Sequence, residues 1–120
     1  MNWNRTRNDR YNRQELLPWL GKEGQQRLSE SSVVVVGLGA LGTVAADLLA
    51  RAGIGHLKLI DRDIVELTDL QRQLLYDEQD VGKPKATRAV AKLRKTNSAI
   101  NITAAAADVD YQSIAELVGR

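Results

Sequence analysis

The 120-residue chain has no cysteine and no phenylalanine, and only two prolines, one methionine and one histidine. Without cysteine these residues hold no disulfide framework, no thiolate-ligated zinc or iron–sulfur centre and no thiol nucleophile. His56 has neither a cysteine nor a second histidine with which to share a metal, so its expected role is structural or at the surface. A surplus of one charge is also lacking. Seventeen Lys and Arg face fifteen Asp and Glu, a net charge of +2, so the pI of 9.1 reflects a small excess rather than a basic stripe, and no nucleic-acid partner is expected. The longest uncharged stretch, residues 31–46, is 16 residues long and contains three glycines. That is short of the roughly 18 apolar residues of a membrane span and lies too far along for a signal peptide, so a cytoplasmic protein without membrane contact is expected.

What is present fits one ordinary globular domain, 43% hydrophobic and 27% charged. Residues 1–10 are polar and aperiodic and should be loosely ordered. From Tyr11 to Leu28 the apolar residues return, and Pro18 and Gly21 divide them into two short helices. Residues 1–32 thus read as a polar arm with short helices, and residues 33–120 as part of a nucleotide-binding domain. Trp3 and Trp19, with no other aromatic near in sequence, read as packing or interface residues.

Val33 to Val36 are four β-branched residues without alternation, the pattern of a parallel strand covered on both faces. Gly37, Gly39 and Gly42 follow. Leu41, Val44, Ala45, Leu48, Leu49 and Ala52 then recur at helical spacing as a buried stripe, which Gly53 and Gly55 stop. Leu57, Leu59 and Ile60 form a second strand ending on Asp61, which completes a βαβ unit with a right-handed crossover. Residues 62–80 should be a long loop with a short helix near residues 70–76. Pro84 sits in the first turn of a helix that buries Ala86, Ala89, Val90 and Leu93 and leaves Lys85, Arg88, Lys92 and Lys95 in solvent. Ile100, Ile102 and Ala104 supply a third strand, and a last helix starts after Asp110. The fold class is therefore α/β, a three-layer Rossmann-like open parallel sheet with spatial strand order 3-2-1.

The run from Gly37 to Gly42 is a GxGxxG between a strand and a helix. Gly37 allows the tight turn, Gly39 lets a phosphate approach the backbone, and Gly42 lets helix and strand pack closely. The alternative is a turn whose glycines serve packing only. Asp61 lies 19 residues beyond Gly42, near the roughly 20 at which an acidic residue takes ribose hydroxyls, although it also suits a loop cap. Gln71-Arg72-Gln73 and Lys83-Pro84-Lys85 place cations beyond the C-terminal edge of the sheet. A triphosphate wants such cations more than a dinucleotide does, which favours ATP over NAD. Lys83, Arg88 and Lys92 are read as solvated charges.

Arg10-Tyr11-Asn12-Arg13-Gln14, Val36 to Gly42, Asp61-Arg62-Asp63-Ile64-Val65-Glu66, Leu70-Gln71-Arg72-Gln73 and Val81-Gly82-Lys83-Pro84-Lys85 occur in an order that resembles the N-terminal half of the ThiF/MoeB/HesA family. These are the bacterial relatives of ubiquitin-activating enzymes. The resemblance implies ATP-dependent adenylation of the C-terminal carboxylate of a ubiquitin-like sulfur-carrier protein or a peptide, of the thiamin or molybdopterin type. It implies that Gly37, Gly39, Ala40 and Gly42 form the nucleotide turn, that Asp61 holds the ribose, and that Arg72 and Lys85 neutralise phosphates. Gln73 would support the loop, and Arg13 would reach the ATP site of a partner subunit in a homodimer.

Ala40 replaces a frequent family glycine, which is tolerable at negative φ. Asp69 stands where the family has Asn, and either helps to hold magnesium or weakens ATP binding. The family's magnesium-binding aspartate, nucleophilic cysteine and zinc ligands are expected beyond residue 120. The chain should then be inactive alone and should self-associate through the apolar strand at residues 33–36, left as an open edge. Two other readings stay open: an NAD-binding domain of an oxidoreductase, and a non-catalytic nucleotide-binding or dimerisation module.

Overall fold

A computed structural model describes residues 9–119. Most of the expected polar arm, including Trp3, lies outside the described residues. Two short helices follow, α1 (Asn12–Glu15) and α2 (Gly21–Glu30), divided around Pro18 as the sequence suggests. The chain then alternates: β1 (Ser32–Val36), α3 (Ala40–Ala52), β2 (His56–Ile60), α4 (Lys85–Thr96), β3 (Asn101–Ala105) and α5 (Ile114–Val118). All three strands are parallel, in the order β1-β2-β3. The register sets Val33 beside Leu57 and Leu57 beside Ile102, with Val35 beside Leu59. Because strand side chains alternate, these residues share the face on which α3 and α4 pack.

The helices approach that face through small residues. Ala46 and Ala50 of α3, and Ala86 and Ala89 of α4, are fully buried. Leu57, Leu59, Leu93 and Ile102 fill the space between, each contributing about 1.5–3 kcal/mol by leaving water. Gly53, at φ +93°, ends α3 with the left-handed residue that a helix stop requires.

Several expectations fail for physical reasons. The inward stripe of α3 is Thr43, Ala46 and Ala50 with Leu49 beside it, whereas Leu41 is 87% and Leu48 61% exposed. This helix is apolar on two sides, so periodicity cannot say which side faces the sheet. β1 is an edge strand, as the open-edge reading requires, and it lacks the expected full cover: Val33 to Val35 are half-buried and Val36 is exposed. Trp19 is 79% exposed, which removes the packing half of its reading among the described residues and leaves the interface half.

No helix forms over residues 70–76. Two 3-10 turns, Leu67–Asp69 and Glu78–Asp80, flank them, each closed by a reciprocal pair of acidic side chains, Glu66 with Asp69 and Asp77 with Asp80. Carboxylates that accept nearby backbone N–H groups offer the chain an alternative to a helix. Pro84 precedes α4 as its cap, with ψ 132°, instead of lying inside the first turn. α5 begins four residues after Asp110, whose carboxylate accepts the N–H groups of Gln112 and Ser113 and shapes the turn between.

The polar face of α4 is not simply solvated. Lys85 is buried, and Arg88 and Lys92 both pair with the fully buried Asp80, at 2.6 and 3.2 Å. Burial pushes the Asp80 carboxyl up, but the Asp77 N–H, Arg88 and Lys92 together outweigh it and hold the group below its ordinary value.

Candidate nucleotide site

The glycine turn joins β1 to α3, and each glycine has a distinct reason to be there. Gly37 sits at φ +90°, which side chains rarely adopt. A Cβ on Gly42 would fall 1.8 Å from the Gly37 carbonyl oxygen, so helix and turn touch there. Among the described residues a Cβ on Gly39 would meet only Gln73 Nε2, at 3.8 Å, and no crowding by them requires glycine at this position. No described residue other than glycine has positive φ, so Ala40 fits the turn without strain. No side chain caps α3, and its first N–H groups keep their capacity to bind an anion.

Leu38 is fully buried and held at both ends of its residue. Its N–H donates to Asp61 Oδ2 at 2.7 Å, and its carbonyl accepts the Tyr76 hydroxyl at 2.9 Å. The other Asp61 oxygen accepts the Asp63 N–H at 2.7 Å. Asp61 is therefore a loop cap as well as a ribose candidate, and its remaining lone pairs are available to hydroxyls.

The crossover loop supplies the charges. Residues 63–65 and 82–85 are stitched together by Val65 N–H to the Lys83 carbonyl, Gly82 N–H to the Val65 carbonyl and Lys85 N–H to the Asp63 carbonyl. This brings the first residue of α4 beside the end of β2. Lys85 Nζ lies 3.5 Å from Asp69 Oδ2. Asp69 also accepts the Glu66 N–H at 2.9 Å and Gln73 Nε2 at 3.2 Å. The Glu66 N–H, with Lys85 and Arg72 nearby, holds the Asp69 carboxyl below its ordinary value despite burial. A cleft of about 470 Å³ opens over this pair, lined by Arg62, Asp63, Ile64, Glu66, Asp69 and Lys85.

Of the residues singled out in sequence, Gly37, Gly39, Ala40, Gly42, Asp61, Asp69, Gln73 and Lys85 gather where the C-terminal ends of β1 and β2 meet the crossover loop. Arg72 is exposed on that loop, its guanidinium donating to the Thr68 carbonyl at 3.1 Å. Arg13 is not among them. Its helix α1 is tied to the far end of α3, where Gln14 and Gln25 both donate to the Ala52 carbonyl. With a rise of 1.5 Å per residue, that is on the order of 20 Å from the glycine turn. Two structural partners of the site were missed, Tyr76 and Asp80. A tyrosine closing the apolar run Leu74-Leu75-Tyr76 was the one available signal, since a buried hydroxyl needs a partner.

Among the described residues no group of three His, Cys, Asp or Glu could hold a metal ion. Asp69 Oδ2 is taken by the Glu66 N–H and Lys85, and a lysine beside the carboxylate opposes a cation, so these residues do not fit a magnesium site of their own.

The geometry has close relatives. The chain is 49% identical over 111 residues to the sulfur carrier protein ThiS adenylyltransferase of Bacillus subtilis, covering 91% of this chain and 33% of that protein. It thus spans a third of the length of that curated relative. The crystal structure of PaaA matches with a TM-score of 0.83 at 38% identity, covering 92% of this chain and 37% of that one. That of Escherichia coli MccB with ATP matches with a TM-score of 0.75 at 38% identity, covering 78% and 28%. The ThiF family model matches residues 11–120, and with this architecture around the glycine turn the chain belongs to the ThiF family.

Proposed function

We propose that the chain is the nucleotide-binding part of an adenylyltransferase that activates the C-terminal carboxylate of a ubiquitin-like sulfur carrier or a peptide. One observation carries the proposal: among the described residues nothing crowds Gly39, which lies at the mouth of an uncapped helix and faces Gln73, the residue that donates to Asp69 of the Lys85–Asp69 pair. Similarity to a ThiS adenylyltransferase, and to MccB with ATP, supports ATP as the nucleotide.

In the reaction a carboxylate oxygen attacks the α-phosphorus of ATP, the bond to the β-phosphate oxygen breaks, and pyrophosphate leaves with the electron pair. No covalent enzyme intermediate is needed, so the protein contributes by positioning and by charge. Gly37, Gly39, Ala40 and Gly42 would seat the phosphates on the α3 N–H groups, and Asp61 would take the ribose hydroxyls. Lys85 and Arg72 would neutralise charge developing on the phosphate oxygens, and Gln73 would brace the loop. Arg13 lies too far from its own glycine turn to take part there. The family resemblance would instead put it at the site of a partner subunit, in a homodimer. A magnesium ion travelling with ATP would find its ligands outside these residues, and residues 1–32 would serve as the arm that carries Arg13.

Equilibrium titration of the chain with ATP, AMP and NADH tests the nucleotide, and ATP–pyrophosphate exchange by a longer chain that continues beyond residue 120, with a ubiquitin-like carrier, tests the reaction. ATP displacing NADH, together with exchange, supports adenylation. Tight NADH binding untouched by ATP would overturn it in favour of a dehydrogenase-like domain. ATP binding without exchange would leave a nucleotide-binding module.

A further inference from the structure

We infer that Tyr76 is a positioning residue that aims the Gly39 N–H at the nucleotide. The inference rests on the adenylation reading above but is drawn from the geometry of two successive peptide planes. A trans peptide holds its C=O and the following N–H on opposite sides of a rigid plane. In the 38–39 peptide, the Leu38 carbonyl is drawn inward to the buried Tyr76 hydroxyl. The Gly39 N–H on the same plane must then point outward, and among the described residues no backbone or side-chain acceptor takes it. In the preceding 37–38 peptide, the Leu38 N–H is drawn to Asp61, which turns the Gly37 carbonyl toward Gly42. Asp61 and Tyr76 therefore fix two consecutive planes, and the second leaves a free donor at the position where glycine is not demanded by packing.

Tyr76 reaches the turn from the crossover loop that carries Asp69, Arg72 and Gln73, and its own N–H donates to the Gln73 carbonyl. The hydroxyl thus couples the phosphate-binding turn to the loop that bears the cations. Burial, with the Asp61, Asp69 and Asp80 carboxylates nearby, pushes the phenol above its ordinary range, so the group remains a proton donor at any physiological pH.

Tyr76→Phe removes one hydroxyl and keeps the ring. In the variant, ATP affinity should fall about tenfold, the Gly39 amide shift induced by ATP should collapse, and the Leu38 amide should exchange at least tenfold faster. Amides of β2 and α4 should keep their protection, which a general loss of stability would not allow. ATP affinity within twofold of the parent, with unchanged Leu38 protection, would overturn the inference, as would uniform loss of protection across the sheet. If the parent chain binds no ATP, the adenylation reading falls, and Leu38 protection alone decides whether Tyr76 holds the turn. If Tyr76→Phe does not fold, 3-fluorotyrosine incorporation strengthens the phenol as a donor without reshaping the ring. Slower Leu38 exchange would then support the inference, and no change would overturn it.

Discussion

Lys85 Nζ and Asp69 Oδ2 lie 3.5 Å apart with their side chains only 8% and 11% exposed, so the cation offered to a phosphate is already paired with a carboxylate. Asp69 orients the lysine and also offsets part of its charge. Asp69→Asn should therefore raise ATP affinity severalfold while lowering stability by about 1 kcal/mol, through loss of charge-assisted bonds to the Glu66 N–H and Gln73. Calorimetric titration and thermal unfolding read the two effects separately. A weaker ATP complex would show instead that the carboxylate assists the ligand.

Gly42 and Gly39 of the glycine turn should respond oppositely to one methyl group. Gly42→Ala drives a Cβ to 1.8 Å from the Gly37 carbonyl and should cost about 3 kcal/mol or more. Gly39→Ala meets nothing nearer than 3.8 Å and should leave stability within about 0.5 kcal/mol. Its ATP affinity should nevertheless drop at least tenfold, because the methyl occupies the approach to the backbone. Denaturant midpoints and ATP titrations on both variants check the contrast.

Asp80 makes acid sensitivity predictable in sign. Its folded carboxyl titrates below the 3.8 of an ordinary aspartate, so the unfolded chain binds the extra proton first as pH falls. The stabilisation is complete above about pH 5 and is lost progressively below pH 4, as the folded group itself protonates. The melting temperature should hold from pH 7 to 5 and fall from 4 to 3. Asp80→Asn should start lower at pH 7 and show a flatter acid limb.

Leu41 and Leu48 stand exposed on α3, which packs against β1, and among the described residues β1 has no strand beside its outer edge. That apolar surface should drive self-association of the chain, seen as a concentration-dependent sedimentation coefficient. The double variant Leu41→Glu and Leu48→Lys should sediment as a monomer with stability changed by less than about 0.5 kcal/mol.

Local chemistry made much of this molecule readable. Four valines, a GxGxxG and an aspartate at a strand end mark β1, the turn and β2 because each reflects a short-range demand on backbone or sheet. The choice of face on α3 was not readable, since Leu41, Ala45 and Leu48 match the helical period as well as Thr43, Ala46 and Ala50 do. Nor was the burial of Lys85, whose partner Asp69 comes from a separate loop, or that of Asp80, which gathers Arg88 and Lys92 only after α4 folds back. In each case the deciding partner is distant in sequence, and a charged residue read alone looks solvated. Tyr76 was obscured in the same way: its hydroxyl partner lies 38 residues away, at Leu38.

The strands stand in space in the order in which they leave the ribosome. Each new strand after the first finds its neighbour already made, so the sheet can grow in one direction during synthesis without waiting for a later insertion. The cost falls on the segment made first. Ser32–Val36 keeps one row of peptide groups unsatisfied for as long as nothing docks beside it. A run of four valines on that open row is prone to pair with other chains, and the yield of properly folded protein in a cell should depend on how soon the row is covered.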